Sequence, residues 1–187
     1  MKRKIYEKMK EWKALSNGRS ALMIDGARRV GKSWIAKEFA EQEYESYLLI
    51  DFSKVSKTVK NYFFNYLNNL DVFFMYLMGE YNVELKPRKS VIIFDEVQLF
   101  PKAREAIKHL VADGRYDYIE TGSLLSINKN VRDILIPSEE HHLEMFPMDF
   151  EEFLWATDNG GLMPIIKNAY DRQAKIGDGT HRRIMDV

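Results

Sequence analysis

Residues 26–33 read Gly-Ala-Arg-Arg-Val-Gly-Lys-Ser and fit the pattern G-x-x-x-x-G-K-[ST] at every fixed position. An apolar run, Ala21-Leu22-Met23-Ile24-Asp25, precedes the motif, and a helical pattern from about Lys32 to Glu43 follows it. A glycine-rich turn between a buried strand and a helix lets successive backbone N–H groups point into one hollow. The helix that starts there adds its own unsatisfied N–H groups and the positive end of its dipole. The candidate phosphate-binding residues are therefore Gly26, Ala27, Arg28, Arg29, Val30, Gly31, Lys32 and Ser33. Lys32 would place a point charge on the outer phosphates, and the Ser33 hydroxyl would reach Mg2+. Arg28 and Arg29 fill variable positions and are expected to face solvent or another domain. Trp34 falls in the first helical turn, where its indole must leave the loop sideways. It is expected to be partly exposed beside the nucleotide.

The rest of the chain alternates short apolar runs with helical stretches, which predicts a parallel α/β sheet. Further strands are expected at residues 47–52, 91–95, 118–121 and 142–146. Ile5, Met9, Trp12 and Leu15 have helical spacing and predict a helix over residues 4–15 that ends at Asn17-Gly18. Residues 59–78 read as one helical stretch rich in aromatics. Such a stretch can stack bases or face a partner, but it reads first as a helix buried on the sheet, with Phe63, Phe74 and Leu77 inward. Pro101 opens a helix at a position that tolerates proline, running to about residue 112.

Val91-Ile92-Ile93-Phe94-Asp95-Glu96 is the most apolar strand, and it ends in two acids 63 residues after Lys32. Ligands collect at the carboxyl ends of such strands. Asp95 is expected to hold Mg2+ opposite Ser33, and Glu96 to polarise a water for attack on the terminal phosphate. Tyr118-Ile119-Glu120-Thr121 ends in a hydroxyl. If its strand lies between the first and third, Thr121 would sit near the terminal phosphate. Asn128-Lys129 resembles half of a guanine-reading motif, but Val131 stands where the acid is required. His141 and His142 are adjacent on a strand and would point to opposite faces, which argues against one shared metal ion.

Composition narrows the remaining classes. The 187 residues, 45% hydrophobic and 30% charged, suit a folded domain rather than a disordered chain. No apolar run approaches the roughly 20 residues of a membrane-spanning helix. The absence of cysteine excludes disulfides and thiolate chemistry and fits a reducing cytoplasm. The 28 basic and 28 acidic residues cancel, so no global field favours nucleic acid. Locally, residues 1–40 carry eleven Lys/Arg against four acids, and residues 133–160 carry eight acids and no Lys or Arg.

Taken together, GARRVGKS, VIIFDEVQLFP, ETGSLLS and MFPMDFEEFLWA resemble the bacterial and archaeal AAA+-like ATPases whose nucleotide domain precedes a C-terminal domain of unknown function. The resemblance implies a three-layer P-loop NTPase fold, α/β, with a five-stranded parallel sheet in the order 5-1-4-3-2. It implies ATP with Mg2+ as ligand, Lys32 and Ser33 on phosphate and metal, Asp95 on the metal, Glu96 on the water, and Thr121 in the sensor position. It also implies an ATPase domain over residues 1–157 and, over 158–187, a helical linker that starts the second domain. Pro164 to residue 175 is expected to form one helix, and Thr180 to cap another. The tail is accordingly read as part of a fragment or as loosely held. Many relatives carry a Gly-Arg pair just before the fifth strand. Here residues 136–142 read Ile-Pro-Ser-Glu-Glu-His-His, leaving Arg104, Arg115 and Arg132 as the candidates for a catalytic arginine. The implied function is a cytoplasmic ATPase that uses hydrolysis to drive a conformational or interaction change. The alternative is an ATP-dependent interaction switch with negligible turnover. A small-molecule kinase would need a lid bearing substrate arginines, which the sequence lacks. Expected partners are ATP and ADP, a protein or the chain's own C-terminal domain, DNA, and a second copy, with no membrane.

Overall fold

The protein is described by a computed structural model covering residues 2–123 and 140–187. It divides into two compact units, residues 5–145 and residues 1–4 with 146–187. The larger unit carries a five-stranded sheet made of β1 (Ala21–Gly26), β2 (Ser46–Asp51), β3 (Ser90–Asp95), β4 (Asp117–Thr121) and β5 (Glu140–Met145). The order is β2-β3-β4-β1-β5, and all four pairings are parallel. This is the expected order read from the other edge. Its helices are α1 (Ile5–Ser16), α2 (Lys32–Glu43), α3 (Lys57–Asn65), α4 (Leu70–Tyr81) and α5 (Pro101–Asp113).

Every residue of β1, β3 and β4 is buried. Side chains alternate between the two faces of a strand, so each face builds its own core. Leu22, Ile24, Ile93 and Ile119 pack with Met9 and Trp12 of α1 and Ile35 and Phe39 of α2. On the opposite face, Met23, Ile50, Phe94 and Tyr118 pack with Val59 and Phe63 of α3, Phe74 and Leu77 of α4, and Ile107 and Leu110 of α5. Phe63 is the hub of that second core, with ring centroids 5.0 Å from Phe73, 5.5 Å from Phe100, 5.7 Å from Phe94 and 5.8 Å from Phe52.

The first helix forms as expected, and within it Leu15 is 76% exposed, because the inward stripe of α1 stops at Trp12. One local expectation is corrected. The aromatic stretch is two helices rather than one. Asn69 interrupts it and caps α4, its side chain accepting the N–H of Val72, while Ser56 caps α3 in the same way on Val59.

The smaller unit contains α6 (Phe150–Ala156), α7 (Leu162–Asp171) and α8 (Asp178–Met185). The Phe-Pro-Met-Asp-Phe-Glu-Glu run has a structural use here. Asp149 accepts the N–H of Glu152, and Glu152 accepts that of Asp149, forming a reciprocal capping box at the start of α6. Glu152 is also paired with the buried Arg3 at 3.3 Å, and Arg3 donates to the Phe146 carbonyl at 2.8 Å. Thr180 lies inside α8 and does not cap it; the residue at the cap is Gly177.

The aromatic hub gives a stability prediction. Phe63→Ala should lower unfolding free energy by about 3–5 kcal/mol, measured by urea denaturation, whereas Leu15→Ala at its exposed site should change it by less than about 0.5 kcal/mol.

Candidate nucleotide-binding site

Strands covered on both faces present polar groups to solvent where the sheet meets its loops. β1 ends in Asp25 and Gly26, β3 ends in Asp95 followed by Glu96, and β4 ends in Thr121. Because β4 pairs with both β1 and β3, these three carboxyl ends lie side by side.

The turn out of β1 needs glycine twice. Gly26 has φ +139°, and a Cβ there would lie 2.2 Å from the carbonyl oxygen of Met145 on β5. Gly31 has φ +98° and forms the N-cap of α2. Among the described residues no side chain caps this helix, and its first intrahelical donor is Ile35 N–H to Gly31 O at 2.9 Å. The N–H groups of Lys32, Ser33 and Trp34 therefore point out of the helix start without helical acceptors. Groups so arranged take the oxygens of an anion, so the loop suits a phosphate.

Lys32 folds back over the loop and donates to the carbonyls of Ala27 at 2.6 Å and Gly26 at 3.2 Å. Burial pushes its pKa down, while the carboxylates of Glu96, Asp95 and Asp25 pull it back up. Its charge is thus held at the mouth of the loop among three acids. The hydroxyl of Thr121, fully buried, donates to Asp95 Oδ1 and accepts the N–H of Glu96 at 3.2 Å. One side chain thereby sets the two acids relative to each other. Glu96 itself adopts φ +56°, left-handed for a non-glycine residue, and leads into a 3-10 turn over Val97–Leu99.

Lys32, Asp95, Glu96 and Thr121 thus converge. Ser33 is half-buried beside Lys32, and Val30 packs against the α1–α2 core. Ala27, Arg28 and Arg29 are exposed, and Trp34 is 38% exposed. Arg104 is committed elsewhere. Its Nη2 and Nε lie 2.8 and 3.3 Å from the two oxygens of Glu140, and both side chains are buried. Arg115 pairs with Asp113 and Asp71. Arg132 lies outside the described residues, as do Asn128, Lys129 and Val131.

Sequence reasoning missed an ionic chain that is buried at Arg104 and Glu140 and exposed at His142. His142 bridges Glu140 at 3.1 Å and Asp25 at 3.6 Å, while Glu140 holds Arg104. The hydrogen bond to Glu140 raises the His142 pKa against the opposing effect of burial. Burial alone would raise Glu140, but His142 and Arg104 hold it below its ordinary value. Glu120, buried in β4 one residue before Thr121, is pushed well up by burial and then by the Glu140 charge. The sequence signal was an acid between Ile119 and Thr121 in a short strand. Its partners became visible only through the β4-β1-β5 register, where Glu120, Met23 and His142 are aligned.

A glycine-rich loop at a helix start, beside paired acids on a parallel sheet, fits a P-loop nucleotide-binding fold. The AAA domain family matches residues 18–154, and the chain belongs to that family. No curated protein matches the chain. Among solved structures it is similar to Drosophila ORC bound to AT-rich DNA and Cdc6, at 12% identity and a TM-score of 0.51, with 97% of this chain aligned to 74% of that one. Drosophila ORC bound to GC-rich DNA and Cdc6 gives 12% identity, a TM-score of 0.49, and coverage of 97% and 75%. PCH-2 of C. elegans gives 14% identity, a TM-score of 0.44 and 93% coverage of this chain, which spans about half (48%) of that protein's chain. At these identities the first likeness bears on the fold alone. Among the described residues, no helix is long and apolar enough to cross a membrane.

The buried Glu120 carboxyl gives a pH-dependent prediction. Folding favours the protonated form of this residue, because its folded pKa is raised above the unfolded one. The contribution of this residue to stability should therefore fall as pH rises above the unfolded carboxyl pKa of about 4.3, by at most about 1.4 kcal/mol per pH unit. Glu120→Gln removes that slope. Its stability relative to wild type should grow as pH rises above about 4.3 in urea denaturation, and a gap independent of pH would contradict the assignment.

Proposed function

We propose that this AAA domain binds and hydrolyses Mg-ATP, and that hydrolysis drives a change in conformation or partner binding. The observation that carries the reading is the Lys32 amine, held over the loop carbonyls within the field of Asp95 and Glu96. The backbone N–H groups at the start of α2 and the Lys32 charge would bind the β- and γ-phosphates. Ser33 and Asp95, both oxygen donors suited to a hard cation, would hold Mg2+. When bound, the ion neutralises negative charge on the phosphate oxygens. A water held by Glu96 attacks the γ-phosphorus in line, the bond to the β–γ bridging oxygen breaks, ADP departs, and Glu96 accepts the water's proton. Thr121 keeps Glu96 and Asp95 in register during this step, and the Trp34 indole borders the nucleotide.

A switch with negligible intrinsic turnover is the second reading. It draws support from Arg104 and Arg115, both committed to ion pairs within the chain. Under that reading a partner, whether protein, DNA or a second copy, supplies the stimulating group. Turnover measured with and without DNA or protein partners separates the two.

Three variants test the assignment of roles. Lys32→Ala should weaken ATP binding by about 10- to 100-fold, the scale of a lost charged hydrogen bond, measured by calorimetry. Glu96→Gln should keep ATP affinity and slow hydrolysis by about 10²–10⁴. Asp95→Asn should raise the Mg2+ concentration needed for activity. Wild-type turnover by Glu96→Gln would remove that residue from the chemistry.

A further inference from the structure

We infer that Gln98 is a positioning residue for hydrolysis, its side-chain amide aiming the Glu96 carboxylate at the attacking water. The inference rests on the reading of Glu96 as the proton acceptor. It starts from the backbone. Glu96 leaves β3 in a left-handed conformation and is only half-buried, so nothing in a strand or helix restrains its side chain. A flexible carboxylate is a poor acceptor of a proton from a single fixed water, because an error of about 1 Å at the reacting atoms costs about 10²-fold in rate.

The next residues supply the restraint. Leu99 N–H bonds to Glu96 O at 2.9 Å, and Phe100 N–H bonds to Val97 O at 3.0 Å, closing the turn. Val97 and Phe100 anchor that turn in the aromatic core beside Phe63. Gln98 is carried on it and is 3% exposed. Its amide Nε2–H donates to Glu96 Oε2. A carboxylate oxygen has lone pairs to spare, so a donor on Oε2 leaves Oε1 to receive the proton. Glu96 is thus held at both ends, with Thr121 on its N–H and Gln98 on its carboxylate. A buried primary amide is costly unless it is hydrogen-bonded. Packing alone would be served as well by an apolar side chain of equal volume.

Gln98→Met keeps that volume and removes the donor. The test compares wild type, Gln98→Met, Glu96→Gln and the double variant by steady-state ATP hydrolysis, with ATP affinity from calorimetry. Gln98→Met should lower kcat by about 10- to 100-fold and leave ATP affinity unchanged. In the Glu96→Gln background, the same change should have no further effect on kcat, since its target is gone. Gln98→Glu keeps the shape but offers an acceptor for a donor, and it asks the same question should the methionine variant not fold. If Glu96→Gln is slow while Gln98→Met turns over like wild type, the inference fails and the reading of Glu96 stands. If Glu96→Gln turns over normally, the reading of Glu96 fails first. A loss of kcat equally large in both backgrounds would assign Gln98 a role that does not pass through Glu96, and would overturn the inference.

Discussion

β1, β3 and β4 are covered on both faces, and a strand so placed has no lateral route to water for a polar side chain. Polar groups on these strands must either sit at the carboxyl ends or find partners inside. Asp25, Asp95 and Thr121 take the first course, and their side-by-side ends make the candidate site. Glu120 takes the second course. The charge of Glu140 bears on it, and Glu140 is paired in turn with the buried Arg104 and with the partly exposed His142. Breaking a buried pair such as Arg104–Glu140 costs about 3–5 kcal/mol, so this chain constrains how β5 and α5 meet the sheet. Through Asp25, which feels both His142 and Lys32, the same chain reaches the loop.

The loop joins this frame through two backbone requirements. Gly26 must be glycine because β5 passes within reach of any side chain placed there, and Gly31 must be glycine because α2 starts from a left-handed residue. The first requirement concerns packing as much as ligand. Substitution at Gly26 would disturb the β1–β5 pairing even in a chain that bound nothing. The proposed division of work follows from these positions. The loop and Lys32 hold phosphate, while the β3 end, tied by Thr121 and Gln98, serves the water.

Much of this was legible in the sequence, for identifiable reasons. Strand β3 is an unbroken apolar run ended by acids, and its role as a central strand follows from that pattern alone. The boundaries of α2 were readable because Lys32 and Glu43 flank a clear periodicity. The helix pair α3 and α4 was misread as one because the dense aromatic and large apolar residues masked the period, and Asn69 reads as a cap only once its side chain is seen on Val72. Leu15 has helical spacing but lies one turn beyond the core that α1 covers. The positions of Asp95, Glu96 and Thr121 at adjacent strand ends followed from the strand order. The hydrogen bonds among them did not, since a threonine at a strand end carries no sign of which neighbour its hydroxyl will meet. Glu120 and Arg104 lay further out of reach, because their link depends on the register of strands separated by more than a hundred residues of chain.

The central claim is that Mg-ATP is held by the loop after β1 against the acids after β3. Hydrogen–deuterium exchange with and without saturating Mg-ATP tests it at the backbone groups concerned. Slowed exchange at the amides of residues 27–34 and of Glu96, with the core amides of β3 unchanged, is the predicted result. Protection confined to another region at saturation, with the amides of residues 31–34 exchanging as in the free protein, would contradict it.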